Sequence, residues 1–320
     1  MHNSRGIALI SVILIISILV VITLQFNRFT RSKLYETANL SDSLRLHYTA
    51  KSGFNLGQAL LLADNNNFDA LTEDWGRQDE ITAKSSKLFP NSSFKILIED
   101  EQGKININKL VVGSAYNQEI KEMLTRLLSQ PEFDLHPEAV AEIIDSIKDW
   151  LDADDETTGA GAERSHYLSL DAPYTPKNSA PGCIEELLMI KGVTADVYYG
   201  TTQTPGLSRL LTVYGDGRIN INTAPTLVLR ALAAGITPSM IEEMDEYRKN
   251  KDNNLADLLW YKKIAGMSGI NINQALITVT SDYFRITAVG IFSNMQETVS
   301  GVIKRDVPSK KTNLIYWKSD

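Results

Sequence analysis

Residues 7–24 carry no charged side chain, and nothing else in this 320-residue chain constrains its fold as strongly. A short polar leader, residues 1–6, runs straight into this stretch, which only Ser11, Ser17 and Thr23 interrupt. As a helix rising about 1.5 Å per residue it is roughly 27 Å long, close to the hydrocarbon thickness of a bilayer. A secretory signal peptide is cut after its apolar core, at a small-residue site. Here the core continues into a polar helical pattern, and the small-residue boundary, Gly6, lies before it. Processing at Gly6 would leave the apolar helix on the mature protein. A plain N-terminal anchor fits the same run.

The arrangement resembles the class III signal of type IV pilins and pseudopilins. The resemblance implies cleavage between Gly6 and Ile7 by a prepilin peptidase, followed by N-methylation of Ile7. One position departs from it: the fifth residue after Gly6 is Ser11, where the family carries glutamate. In filaments of that kind the glutamate neutralises the N-terminal amine of a neighbouring subunit inside an apolar core. An unpaired carboxylate in such surroundings is costly or changes its protonation. A leading subunit has no predecessor's amine to meet, and a serine returns its hydroxyl to a carbonyl of the preceding turn. Ser11 therefore points to the first subunit of a filament.

With 43% hydrophobic and 22% charged residues, the chain past the anchor has the composition of folded domains. Its length accommodates two of them. The net charge of −7 becomes −8 when Arg5 leaves with the leader, and lacks the basic footprint of a nucleic-acid binder. A single cysteine, Cys183, excludes an intramolecular disulfide and a Cys-based zinc site. Arg28, Arg31 and Lys33 follow the anchor, whereas Arg5 alone precedes it, so charge bias by itself would put the body in the cytoplasm. Long C-terminal domains translocate largely regardless of charge. The resemblance implies the opposite topology: a single-pass inner-membrane protein with its bulk in the periplasm.

Residues 28–63 keep a proline-free helical pattern, with Leu40, Leu44 and Tyr48 as one apolar set and Leu56, Leu60 and Ala63 as a second. These are expected to half-bury the helix against a soluble domain, with Gly53 and Gly57 weakening it or allowing close packing. Residues 64–67, Asp-Asn-Asn-Asn, should end it. Residues 93–107 read as a strand pair turning at Gln102-Gly103. Alternating patterns return at 277–279, 283–289, 298–305 and 313–317. Helical patterns dominate the roughly 165 residues between these two β blocks, as for a helical domain inserted into one sheet. Inside it, Gly-Lys-Ile-Asn-Ile-Asn at 103–108 recurs as Gly-Arg-Ile-Asn-Ile-Asn at 217–222. The second copy continues to Thr223, a candidate helix cap, with Pro225 in the first turn.

Residues 184–194 and 227–238 each read as a helix, a glycine turn and a Thr-capped helix, the helix-hairpin-helix pattern. In DNA-binding versions such hairpins offer amides and basic residues to phosphates. Here the second helices open with Asp196 and with Glu242-Glu243, which repel phosphate. Helix packing is the better account, and a membrane-anchored DNA receptor the alternative. The densest charge cluster is Asp149, Asp152, Asp154, Asp155 and Glu156, followed by a Gly/Ala-rich loop and Glu163. Such carboxylates around a flexible turn suit calcium, though the spacing is not that of an EF-hand. A solvated acidic helix end is the competing reading. The histidines are scattered, and no phosphate loop, nucleophile elbow or H-E-x-x-H occurs, so an enzyme is not expected.

Taken together, the leader, Asp-Trp-Leu-Asp-Ala-Asp-Asp at 149–155, Tyr-Leu-Ser-Leu at 167–170 with Pro173-Tyr174, and Ile-Asn-Ile-Asn-Thr-Ala at 219–224 resemble the large minor pseudopilins of bacterial type II secretion. Serine in place of glutamate agrees with that family. The resemblance implies an α+β pseudopilin fold, with a long N-terminal transmembrane helix packed on a small antiparallel sheet. A large all-α domain with helix-hairpin-helix or SAM-like subdomains is inserted into it. The implied organisation is a leader at 1–6, a transmembrane helix at 7–26, and pseudopilin helix and first strands at 27–110. The inserted domain follows at 111–275, as subdomains of about 111–215 and 216–275, and C-terminal strands at 276–320. It further implies a place at the pseudopilus tip with minor pseudopilins I and J, contacts with other pseudopilins and the inner-membrane assembly platform, and no nucleic acid. Structural calcium is also implied, with Asp149, Asp152, Asp154, Asp155 and Glu163 as its candidate ligands.

Overall fold

The computed structural model describes residues 4–86, 89 and 91–319. Helix α1 is unbroken from Ser4–Ala63 and long and apolar enough to cross a membrane. The hydroxyls of its apolar stretch are satisfied within the helix. Ser11 Oγ donates to the Ile7 carbonyl at 3.0 Å, Ser17 to Ile13 at 2.8 Å and Thr23 to Leu19 at 2.7 Å. The apolar stretch thus shows lipid no unpaired side-chain polar group. Asn65 Nδ2 takes the Ala63 carbonyl at 2.7 Å where the helix stops.

Helix α2 (Gln78–Ser85) follows, then strand β1 (Ser92–Asp100). The chain next enters a long excursion: β2 (Ile105–Asn106), a small β3–β4 hairpin (Val111–Val112 with Ala115–Tyr116), α3 (Gln118–Leu128), α4 (Pro137–Leu151), α5 (Arg164–Leu168) and α6 (Ala195–Tyr199). It continues through β5 (Leu211–Thr212), β6 (Ile219–Asn220), α7 (Thr226–Ala231), α8 (Pro238–Lys249) and β7 (Ile277–Thr278). Three long strands close the chain: β8 (Tyr283–Phe292), β9 (Met295–Asp306) and β10 (Lys311–Ser319).

The main sheet is antiparallel in the order β1-β8-β9-β10, so the excursion is inserted between two neighbouring strands. Phe94 lies opposite Gly290, Ile96 opposite Ala288 and Ile98 opposite Ile286. These alternate residues form the buried face under α1. The helix meets them with Leu46, Ala50, Phe54 and Leu61; of the residues expected from periodicity, Leu60 packs against this core and the Leu40, Leu44 and Tyr48 set does not. Leu40, Leu44 and Tyr48 are 62%, 50% and 63% exposed, Leu56 and Leu60 are half-buried, and Ala63 is exposed. The glycines decide the face. A Cβ on Gly57 would come 2.9 Å from side-chain carbons of both Ile96 and Ile286, so only glycine lets helix and sheet approach this closely.

The strand pair expected at 93–107 is not formed. Glu101–Gly103 is a buried 3-10 turn, after which Ile105–Asn106 pairs in parallel with Leu211–Thr212. The local alternation is real, but each half finds a distant partner. The sequence repeat has a matching geometry: Ile219–Asn220 pairs in parallel with Ile277–Thr278. Asn106 Oδ1 accepts the Asn108 amide, and Asn220 Oδ1 the Asn222 amide, both at 3.0 Å. Each copy therefore opens a unit that a two-residue parallel bridge later closes. Thr223 caps nothing. Its hydroxyl goes to Asp100 Oδ2 at 2.6 Å, and Pro225 itself occupies the N-cap of α7.

Buried polar groups tie head to sheet. Asp100, at the end of β1, also accepts from Ser281 Oγ at 2.5 Å and Asn220 Nδ2 at 3.1 Å. Glu101 accepts from Arg285 Nε at 2.7 Å, Lys104 Nζ at 3.1 Å and Thr212 Oγ1 at 2.5 Å. Gln102 Oε1 receives the amides of Asp282 and Tyr283 at 2.6 and 3.3 Å. Buried groups satisfied from both sides fix the junction.

Candidate metal centre

Helix α4 begins with Pro137 in its first turn, buries Ile143, Ile144 and Ile147, and ends at the C-cap Asp152. Acids at a helix C-terminus oppose its dipole and call for compensation. Residues 152–163 form no regular element and turn back over the helix end, delivering Glu163 to it. Asp149, Asp152 and Glu163 are 0%, 2% and 2% exposed, and one carboxylate oxygen from each lies within 4.8 Å of the others.

The partners of these carboxylates are few. Both Asp149 oxygens accept the Thr158 amide at 3.1 Å. Asp152 Oδ2 takes the Lys148 ammonium, which also donates to Thr158 Oγ1 at 2.8 Å. Asp152 Oδ1 and both oxygens of Glu163 are buried and accept nothing from the described residues. Burial, reinforced by the Asp149 and Asp152 charges, pushes the Glu163 carboxyl up to about 7. Burial likewise raises Asp149. Burial works against the Lys148 ammonium, yet the adjacent Asp152 carboxylate raises its pKa. Three hard oxygen donors turned together without partners, in the interior, fit a calcium ion.

The loop can close over the site because residue 161 is glycine. A Cβ there would stand 2.2 Å from Asp149 Oδ2 and 2.8 Å from the Thr158 carbonyl. Asp145 braces the same loop, accepting from Tyr116 Oη at 2.5 Å and the Ala160 amide at 3.0 Å. Beneath it, Trp150, Tyr167 and Tyr174 pack ring to ring, Trp150 on Tyr167 at 5.6 Å and Tyr167 on Tyr174 at 5.2 Å.

Of the five acids singled out by sequence, the fold brings together Asp149, Asp152 and Glu163. Asp154 and Asp155 lie outside this group. Asp154 Oδ1 accepts the Glu156 amide at 3.0 Å, and Asp155 Oδ1 accepts from Asn178 Nδ2 at 3.2 Å. Sequence reasoning missed Lys148 and Thr158, for which the only signals were an (i, i+4) Lys–Asp spacing and the glycines after Thr158. A second acidic group, Asp64, Asp69 and Glu73, has the same spacing but different chemistry. Arg305 enters it, Nη1 to Asp64 at 3.0 Å and Nη2 to Asp69 at 2.6 Å. Asn66, Ala70 and Trp75 satisfy Glu73. Unlike the first group, it has no buried carboxylate oxygen left without a partner among the described residues.

The hairpin segments are structural. Gly192 and Gly235 turn at φ +84° and +86°. Thr194 and Thr237 then cap α6 and α8, accepting the amides of Val197 and Met240 at 3.2 and 3.3 Å. The first hairpin is entered by a 3-10 helix at Ile184–Met189 where an α-helix was expected. Near the second, Arg230 pairs with Glu132, and Arg126 Nε and Nη2 donate to the carbonyls of Ala231 and Leu232. These cations are spent internally.

A long apolar helix packed on a small antiparallel sheet, with a head carrying a buried acidic site inserted between two strands, defines a pseudopilin with an inserted domain. A family model for type II secretion system protein K matches residues 103–203, within that head. The chain is 25% identical over 97% of its length to the type II secretion system protein K of Pseudomonas aeruginosa, covering 91% of that protein. With its Aeromonas hydrophila counterpart it shares 30% identity over 62% of this chain and 61% of the other. In fold it is similar to a chain in the crystal structure of the GspK-GspI-GspJ complex from the enterotoxigenic Escherichia coli type 2 secretion system. That likeness has a TM-score of 0.70 at 18% identity, covering 89% of this chain and 99% of that one. Over nearly its whole length the chain is similar to type II secretion system protein K. That family is a component of secretion machinery and not a known enzyme family, and the likeness supports a minor pseudopilin.

Proposed function

We propose that this subunit leads the pseudopilus, capping its tip and starting its assembly for protein export across the outer membrane. The observation that carries this reading is the position of the head. Residues 101–282 form one inserted mass at the end of the sheet farther from the membrane helix, between β1 and β8. A subunit stacked above would meet that mass, so growth proceeds from below by extraction of further subunits. Ser11 supports the same reading, because a leading subunit has no predecessor's amine to neutralise. In this reading Gly6–Ile7 is the prepilin peptidase site and Ile7 becomes N-methylated. The leader is cytoplasmic, α1 spans the inner membrane once, and the body is periplasmic.

The partners we infer are minor pseudopilins I and J, engaged through the exposed stripe of Leu40, Leu44 and Tyr48, with other pseudopilins and the assembly platform below. Support comes from the similar fold of the chain found in the GspK-GspI-GspJ complex. Changing Gly6 to Leu should block processing. Purification of the wild type from membranes should bring down two smaller pseudopilins and yield a mature N-terminus at methylated Ile7. A mature protein that starts at Met1 and purifies alone would contradict the reading.

For the metal centre we propose structural calcium held by Asp149, Asp152 and Glu163, with Asp154 and Asp155 as outlying acids of the same loop. Bound, the ion would supply positive charge to buried carboxylates and fasten the 152–163 loop to α4. Calcium should raise the unfolding temperature of the wild type and leave that of Asp152→Asn nearly unchanged.

A further inference from the structure

We propose that Lys148 is a positioning residue that fixes the charge and the available oxygens of this site, and so restricts it to divalent ions. The inference rests on the calcium reading above. Lys148 and Asp152 are one helical turn apart on α4, which puts the ammonium within reach of Asp152 Oδ2. The Lys148 side chain is 9% exposed, and its second acceptor is Thr158 Oγ1 at 2.8 Å. Thr158 in turn donates its amide to both oxygens of Asp149. One ammonium thus holds Asp152 directly and Asp149 through the loop.

Two consequences follow from that position. The first concerns geometry: with Oδ2 engaged by Lys148, Asp152 has one free oxygen, whereas both oxygens of Glu163 remain free. The second concerns charge. With an ion bound and the three carboxylates ionised, they and the ammonium sum to −2, which a divalent cation cancels; Asp154 and Asp155, outside the cage, add their charge in wild type and variant alike. Without the ammonium the same cage carries −3 and favours a trivalent cation, because uncompensated charge in a buried site is costly. The neighbouring cation does not alter this sum. Lys191 Nζ lies against the Ala160 carbonyl at 2.9 Å and is paired with Glu142 at 3.5 Å. Asp145 is turned to Tyr116 and the Ala160 amide.

The test is the ratio of terbium(III) to calcium(II) affinity for the full chain in detergent, read by terbium luminescence sensitised through the adjacent Trp150 with calcium competition. Lys148→Gln keeps a hydrogen-bond donor but removes the charge, and should raise the terbium-to-calcium ratio by at least about tenfold. Lys148→Met should do the same, and Lys148→Arg should leave the ratio as in the wild type. A general loosening of the loop weakens both ions together and does not move the ratio, so a variant that folds less well still reports. An unchanged ratio in both neutral variants, with the wild type binding calcium, overturns the role of Lys148 alone. A wild type that binds neither ion overturns the calcium reading and this inference together.

Discussion

Glu101 is 1% exposed and receives Arg285, Lys104 and Thr212, two of them cationic. Burial alone would raise its pKa, but the Lys104 and Arg285 charges outweigh burial and hold it at about 2, below the ordinary 4.5. A depressed carboxylate contributes stability that is complete above its unfolded value and is lost as pH falls through the folded one. Unfolding of the full chain in detergent should therefore show a stability loss between about pH 4.5 and 2 that Glu101→Gln lacks. Glu101→Ala, which strands two buried cations, should cost about 3–5 kcal/mol at neutral pH. At the proposed calcium site, Gly161→Ala should weaken the calcium binding expected there by about tenfold or more, measured by calorimetry, because its methyl would collide with Asp149 Oδ2. The cluster was legible in sequence as a density of carboxylates before a Gly/Ala loop. Which acids converge was not, because Asp152, Asp154 and Asp155 look alike until the loop's return selects among them. Lys148 and Thr158 act only through that return.

Along α1, periodicity announces a helix but leaves its buried face open, since two apolar stripes share the segment after the membrane run. Leu40, Leu44 and Tyr48 have the stronger spacing, yet Gly53 and Gly57 mark the face that meets the sheet. Gly57→Leu should lower stability by about 1–3 kcal/mol through overpacking against Ile96 and Ile286, visible as a lower unfolding temperature. Leu44→Glu, on the exposed stripe, should change stability by less than about 0.5 kcal/mol while reducing recovery of the smaller pseudopilins in co-purification. A loss of fold without loss of partners would reverse these assignments. The strands show the same division. Alternation at Phe94, Ile96 and Ile98 identifies β1, but local pattern cannot reveal that its partner lies beyond residue 282. A neighbouring alternation at Ile105 and Ile107 instead suggested a hairpin. The 3-10 turn at Glu101–Gly103 redirects the chain because its side chains are anchored in the sheet–head junction.

For the whole molecule, two β blocks separated by a helical stretch were enough to signal an insertion, because strands of one sheet must meet however far apart they lie in sequence. Each copy of the Gly-Lys/Arg-Ile-Asn-Ile-Asn motif opens a segment of the head that a short parallel bridge closes. The polar ties of Asp100, Glu101 and Gln102 hold that head at a fixed attitude to the sheet and the helix. On the proposed reading, a mass so placed would permit growth in one direction only. The most direct test is electron microscopy of assembled pseudopili carrying a gold label on the head, attached through an engineered tag at the exposed residues 250–252. A leading subunit predicts one label per filament, always at the same end. Labels distributed along the shaft would contradict it.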